Sequence, residues 1–164
     1  MRNFPIKIDS QEYWISRSMA TVGFIICTSH NNTYILANKR GNGTPDYQGL
    51  WNCPCGYLDY HETLKECCAR EIYEETNFKI DPEQLNLWSI NDNPKDDSRQ
   101  NVTFRFYVKL KDSALCQHIY PKGFENDEVA DVMWVNINDV DKYEWAFNHK
   151  QLIKELLKYL KIKE

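Results

Sequence analysis

The chain has 164 residues, a length that suits one domain with a real hydrophobic core. Apolar residues make up 42% and charged residues 27% of it, which is typical of a globular protein in water. The formal net charge of -4 argues against a broad electrostatic clamp on a nucleic-acid backbone. We therefore predict a single domain over residues 1–164, without a nucleic-acid partner.

Targeting signals and cysteine usage indicate the cellular compartment of the protein. The start, Met1 to Phe4, leads into a mixed segment rather than a secretory signal, and no apolar run is long enough to span a bilayer. A cytoplasmic protein with reduced thiols is expected. A zinc site is the alternative for four of the six cysteines, but its spacing matches no familiar finger, so structural thiols are favoured: Cys53, Cys55, Cys67 and Cys68.

The first predicted elements form a hairpin. Residues Ala20 to Ser29 are rich in β-branched and aromatic side chains, a turn follows at 30–32, and a second strand runs from Tyr34 to Arg40. A glycine-punctuated loop covers Gly41 to Gly49. Beyond it, a short extended piece near Tyr57 leads to a helix.

That helix has recognisable ends. Thr63 followed by Glu66 three residues later is a capping-box pattern, which predicts the helix start. The helix should end near Thr76, with Asn77 in the left-handed conformation that closes many helices.

The later elements do not alternate regularly. Strands are predicted near Leu85–Ile90, Val102–Leu110 and Val132–Ile137. A final amphipathic helix should begin after Asn148 as N-cap and run to about Leu160. Because there is no βαβ repeat, the fold class is α+β with a mixed sheet.

Three carboxylates stand out on the first helix. Residues three and four apart share a helix face, so Glu71, Glu74 and Glu75 fall within an arc of about 100°. Oxygen ligands are what Mg²⁺ prefers, and a divalent cation would relieve the mutual repulsion of the three groups. A solvated face of a Glu-rich helix is the alternative, and the helix alone leaves both open.

The wider spacing resembles the signature of the Nudix hydrolase family. Gly56 is followed after five residues by Glu62, and after seven more by Arg70-Glu71-Ile72-x-Glu74-Glu75-x-Asn77-Phe78. Two positions depart from the family pattern. Asn77 replaces a glycine, and Cys55 replaces the glycine that usually precedes Gly56.

The resemblance implies a Nudix-type α/β/α sandwich and Mg²⁺ as cofactor, with Mn²⁺ as an alternative. It implies metal binding by the three glutamates and by the Cys55 carbonyl. It implies catalytic roles for Glu71, Glu74, Arg70 and Glu128, with Glu125 and Asp127 as rivals of Glu128. Structural roles fall to Gly56, Glu62 and Asn77, and Glu62 would brace Arg70. From the residues alone, Glu128 could equally be an ordinary loop acid.

Signals for the substrate are weaker. Arg40, Arg99 and Arg105 could contact phosphates or could equally be paired surface arginines. Trp51, Tyr47 and Trp88 could stack on a base or belong to the core. We carry Arg40 and Trp51 forward as candidate substrate contacts. The segment 145–149 resembles endings of ADP-ribose-directed and sensor-type family members.

Three function classes remain at this point. The preferred one is a Mg²⁺-dependent hydrolase that cleaves the diphosphate linkage of a nucleoside diphosphate bonded to another moiety, such as ADP-ribose, or of a nucleoside triphosphate. A non-catalytic nucleotide or ADP-ribose sensor is the alternative, although no DNA-binding appendage is visible. A diphosphate isomerase is suggested by Cys53 but disfavoured by the intact glutamates. The expected partner is a small nucleotide, and a homodimer is left open.

Overall fold

The computed structural model describes residues 3–96, 99–116 and 127–162. Nine strands and two α-helices are found in these ranges. The strands are β1 (Phe4–Ile8), β2 (Gln11–Ile15), β3 (Met19–Ser29), β4 (Asn32–Arg40), β5 (Trp51–Asn52), β6 (Cys55–Tyr57), β7 (Asn86–Asn91), β8 (Val102–Lys111) and β9 (Val129–Asn136). The helices are α1 (Leu64–Thr76) and α2 (His149–Tyr159), and short 3₁₀ turns cover Pro82–Gln84, Asp112–Cys116 and Ile137–Lys142.

Seven strands form one mixed sheet. Its main order is β5-β4-β3-β8-β7, with β6 paired to β3 and β9 paired to β4. The long central pair β3–β8 is parallel from Met19 opposite Val102 to Thr28 opposite Lys111, and the other pairs are antiparallel. The predicted hairpin of β3 and β4 is confirmed, and so is the mixed sheet.

The two helices cover opposite faces of this sheet. Side chains alternate along a strand, so Phe24 and Ile26 of β3 pack in one core with α2, whereas Ile25 and Cys27 pack in a second core with α1. Burial on both faces explains why β3 reads as a continuous apolar run. The predicted α/β/α sandwich is confirmed.

Helix α1 begins and ends as the sequence indicates. Thr63 and Glu66 make both hydrogen bonds of a capping box, and Asn77 closes the helix with φ 58° and ψ 8°. A Cβ at Gly23 of β3 would press on Ile72 of α1. The glycine therefore allows α1 to lie close to the sheet. This close packing determines where the residues one helical turn after Ile72 lie relative to the sheet.

Two features differ from the sequence expectations. The hairpin of β1 and β2 was not predicted, because Pro5 and the charged pair Lys7 and Glu12 interrupt its apolar pattern. Asn148 precedes α2 but makes no side-chain capping hydrogen bond. Helix α2 therefore depends on its buried apolar stripe rather than on its cap.

Within the described ranges, no helix combines the length and the apolar character needed to cross a membrane.

Candidate active site

A cleft of about 700 Å³ opens between α1, the loop after β4 and the start of α2. Nine of the candidate site residues singled out in the sequence line it: Arg40, Tyr47, Cys55, Gly56, Glu71, Glu75, Arg99, Arg105 and Glu128. Strand β6 carries Cys55 and Gly56 along one wall, where it pairs with β3. The sheet and the helix thus bring together residues that are as much as 88 positions apart in the chain (128 minus 40).

Arg70 organises the carboxylates beside the cleft. Its guanidinium donates to both Glu62 oxygens at 2.8 and 3.0 Å, and also to the Tyr57 carbonyl at 3.0 Å. It donates further to Glu71 at 2.7 Å and to Glu74 at 3.0 Å. The predicted contact between Glu62 and Arg70 is present. Hydrogen bonding to Arg70 lowers the pKa of Glu62 to about 2, so this carboxylate stays ionised.

Gly56 lies directly against Glu71. A Cβ on residue 56 would clash with the Glu71 carboxyl group. The glycine is therefore needed for space rather than for an unusual backbone angle, since Gly56 sits in an extended strand. This close approach places the Glu71 carboxylate over β6, where it lines the cleft.

Glu75 lines the cleft and is half-buried. One of its carboxylate oxygens accepts a hydrogen bond from the Cys55 backbone N–H at 3.0 Å. Desolvation, and then the negative charge of Glu71, raise the pKa of Glu75 to about 8. The desolvated carboxylates of Glu71 and Glu75 lie near each other, a costly arrangement without a compensating cation.

The donor set suits a hard divalent cation. Desolvation raises the pKa of Glu71 as well, and Arg70 counteracts this in part. Glu71 uses Oε1 for Arg70 and Glu75 uses Oε2 for Cys55, so each has its second oxygen for another ligand. Among the described residues, no three His, Cys, Asp or Glu side chains yet converge as a complete metal site.

Glu128 approaches the cleft from a later loop. Its carbonyl accepts a hydrogen bond from Gly41 N–H at 2.8 Å, and the Asp127 carbonyl accepts one from Gly43 N–H at 2.8 Å. A Cβ at Gly41 would clash with this backbone, so the two loops touch only because residue 41 is glycine. The rival Glu125 lies outside the described residues.

Several predicted site residues lie outside the cleft lining. Glu74 has a half-exposed side chain paired with Arg70. Asn77 is the C-cap residue of α1. Trp51 is buried in the core against Tyr143, with ring centroids 5.9 Å apart. Its predicted contact with substrate therefore receives no support from this geometry. The carbonyl of Cys55 as a ligand stays a prediction, because the contact seen here is made by its N–H.

The cysteine thiols that the structure describes are not activated. Among the described side chains, Cys27, Cys53, Cys55, Cys67 and Cys68 are unpaired thiols. Desolvation raises the pKa of Cys53 well above its usual value, and that of Cys67 to about 11. A thiol that stays protonated is a poor nucleophile and a poor metal ligand. This agrees with the interpretation as structural thiols.

The opposite side of the cleft is cationic and aromatic. Arg40 donates to the Asp46 carboxylate at 2.8 Å, and Arg99 donates to the other oxygen of Asp46 at 2.7 Å. Arg105 lines the same wall, and its buried Nε has no hydrogen-bond acceptor among the described residues. Asp46, Tyr47 and Phe147 were not predicted to act together here. Asp46 and Arg99 are 53 residues apart, so no local pattern could reveal the pairing.

His149 is buried in the first turn of α2. Its Nδ1 accepts a hydrogen bond from the Cys53 N–H at 3.1 Å, which ties α2 to the segment between β5 and β6. Burial, and then the nearby Arg105 and Arg40, lower the pKa of His149 to about 3. The imidazole is therefore neutral at physiological pH and joins two elements.

The fold and the cleft together define a class of protein: an α/β/α sandwich in which helix α1 presents glutamates beside the strand that carries Gly56. Comparison with known proteins identifies the class. The sequence profile of the NUDIX domain matches residues 17–156. The chain belongs to the NUDIX family, and the predicted class of enzyme, a Nudix hydrolase, is confirmed.

Curated relatives agree with the family, and a solved structure agrees with the fold. Phosphatase NudJ of Shigella boydii is 25% identical over 122 residues, which span 72% of this chain and 70% of that protein. NudJ of Escherichia coli K12 is 25% identical over 120 residues, spanning 71% and 69%. The NUDIX domain of Shewanella oneidensis NrtR, solved with ADP ribose, superposes with a TM-score of 0.74 at 22% identity and covers 89% of this chain and 90% of that one.

Proposed function

We propose that the protein is a Mg²⁺-dependent hydrolase that cleaves the diphosphate linkage of a nucleoside diphosphate joined to another moiety. ADP-ribose-like compounds and nucleoside triphosphates are the two substrate groups considered. The single observation that supports the metal-dependent chemistry is the pair Glu71 and Glu75. Both are desolvated carboxylates in one cleft, with one oxygen each held by the protein.

Glu71 and Glu75 would hold the ion, with Glu128 as a further ligand or base from the facing loop. A bound divalent cation supplies charge neutralisation for the non-bridging phosphate oxygens and lowers the pKa of bound water. Arg70 keeps the Glu71 carboxylate against Gly56 and so fixes its position. Glu71 or Glu128 would accept the proton of the attacking water.

The cationic wall would bind the phosphates of the substrate. Arg105 lines the cleft and is half-buried, so its guanidinium would donate to an anionic oxygen of the substrate. Arg40 and Arg99 are already held by Asp46, which orders them but also offsets part of their charge. The diphosphate would then lie between the glutamates and these arginines.

The test is a phosphate-release assay over ADP-ribose, dNTPs, dinucleoside polyphosphates and NADH, with and without Mg²⁺. We expect Mg²⁺-dependent turnover of at least one substrate. Glu75→Gln should lower kcat/KM about 100-fold or more, because the change removes ligand charge but keeps the acceptor for Cys55. Glu83→Gln serves as control, since Glu83 is exposed and pairs with Lys65 outside the cleft.

Two results would reject this function. Unchanged activity in Glu75→Gln would remove the assigned metal role. Tight binding of ADP-ribose without turnover of any compound in the panel would favour the alternative, a nucleotide or ADP-ribose sensor.

A further inference from the structure

Two aromatic side chains from distant parts of the chain meet in the cleft. The rings of Tyr47 and Phe147 lie 4.8 Å apart between centroids, tilted by 57°. Both residues line the cleft, and they keep 47% and 42% of their surfaces exposed. Large aromatic rings stabilise a protein most when they are covered. This pair instead leaves ring surface available beside the proposed path of the substrate.

Both residues also have an unfavourable backbone conformation. Tyr47 has φ 52° and Phe147 has φ 54°, in the left-handed region. Bulky side chains rarely occupy this region, which Gly or Asn adopts at lower cost. If these two positions served only to reverse the chain direction, Gly or Asn would be the more favourable residue at each. Strain of this kind is found preferentially at ligand-binding sites.

Arg40 links the rings to the carboxylates. Its guanidinium carbon lies 5.1 Å from the centroid of Phe147, in cation–π geometry. The guanidinium is fixed by the Asp46 carboxylate and by the Asp46 carbonyl at 3.0 Å. Its charge also acts on Glu75 across the cleft. The aromatic pair and the glutamates therefore belong to one continuous site.

We propose that Tyr47 and Phe147 form a stacking platform for a planar unsaturated ring of the substrate, such as a nucleobase. The inference rests on the proposed function insofar as the ring belongs to the molecule whose diphosphate is cleaved. Such a platform would favour substrates that carry a planar ring over those that lack one. It would discriminate poorly between bases, because every base has a π-face. The alternative role is a clamp that holds the loop after β4 to the start of α2.

The test compares two probes on the full chain, AMP and ribose 5-phosphate, by isothermal titration calorimetry with Mg²⁺. These probes share the phosphate and the sugar but differ in the ring. Phe147→Leu keeps an apolar side chain and removes the planar face. We expect it to weaken AMP binding roughly tenfold or more, a loss in the range of base–aromatic stacking, and to leave ribose 5-phosphate binding unchanged. Phe147→Tyr should restore AMP binding.

Tyr60→Leu is the matched control, because Tyr60 is an exposed aromatic residue outside the cleft lining. Equal loss of both probes in Phe147→Leu would indicate the clamp and overturn the platform. Equal affinity of the wild type for AMP and ribose 5-phosphate would overturn it too. Ring-dependent AMP binding without hydrolysis of any diphosphate would reject the proposed function but keep the platform. Hydrolysis of ADP-ribose with an unchanged KM in Phe147→Leu would support the proposed function but overturn the platform.

Discussion

At the scale of single residues, close packing decides which positions tolerate change. Gly56 and Gly49 show the contrast. A Cβ at Gly56 would meet the Glu71 carboxyl group, whereas at Gly49 it would meet no atom within 4 Å, although φ there is +79°. Both glycines matter, but for different physical reasons: one makes room for a side chain, and the other permits a left-handed turn.

Gly56→Ala should therefore abolish most activity, because Glu71 must leave its place beside Arg70. We expect the free energy of unfolding to fall by about 1–3 kcal/mol, as for other overpacked sites. Gly49→Ala should lower it by about 1 kcal/mol through backbone strain alone and keep near-normal kcat. Urea denaturation and steady-state kinetics measure the two effects. A Gly56→Ala enzyme with wild-type kcat would contradict the assigned position of Glu71.

At the scale of elements, the end of α1 can be tested separately from the site. Asn77 is left-handed, and its N–H donates to the Tyr73 carbonyl at 2.8 Å. Asn77→Ala should lower the free energy of unfolding by about 1 kcal/mol, because alanine resists this conformation. Asn77→Gly should be at least as stable as the wild type. Since Asn77 lies outside the cleft lining, kcat should stay unchanged in both variants, which chemical denaturation and the hydrolysis assay would check.

The attachment of α2 should depend on pH through His149. Its pKa in the folded protein, about 3, lies below the ordinary value of 6.5, so the unfolded chain binds the additional proton. Stability should therefore fall as the pH drops from 6.5 towards 3, with a slope from this group of at most about 1.4 kcal/mol per pH unit. His149→Asn keeps an acceptor for the Cys53 N–H and does not titrate. Urea midpoints measured across this range should show a flatter acid limb for the variant, and parallel curves would refute the assignment.

At the scale of the whole molecule, the proposed metal would be held by α1 and a distant loop and would bind only the folded chain. Mg²⁺ at a hundredfold excess over Kd should therefore raise the free energy of unfolding of the wild type by about 2.7 kcal/mol, and with it the thermal midpoint. In a chain of this size that corresponds to roughly 5–10 °C. Glu75→Gln should lose most of this rise. Differential scanning calorimetry against NaCl of equal ionic strength is the measurement, and an equal rise in both proteins would show that Mg²⁺ binds elsewhere.

The sequence by itself determined the local features. The capping box of Thr63 and Glu66, the closing Asn77 and the spacing of the glutamates are read from neighbouring positions, because helix signals act over three or four residues. The absence of a βαβ repeat predicted the mixed sheet. The family signature then indicated the class of enzyme before any tertiary contact was known.

Only the tertiary structure decided which of these side chains share a site. Glu75 lines the cleft while Glu74 pairs beside it with Arg70, a difference set by how α1 rests on Gly23 and β6. Trp51 is buried in the core, and Asp46 joins Arg99 across 53 positions. The meeting of Tyr47 with Phe147 likewise follows from the docking of α2. Such contacts depend on the packing of elements distant in the chain, and a single sequence carries no local signal for them.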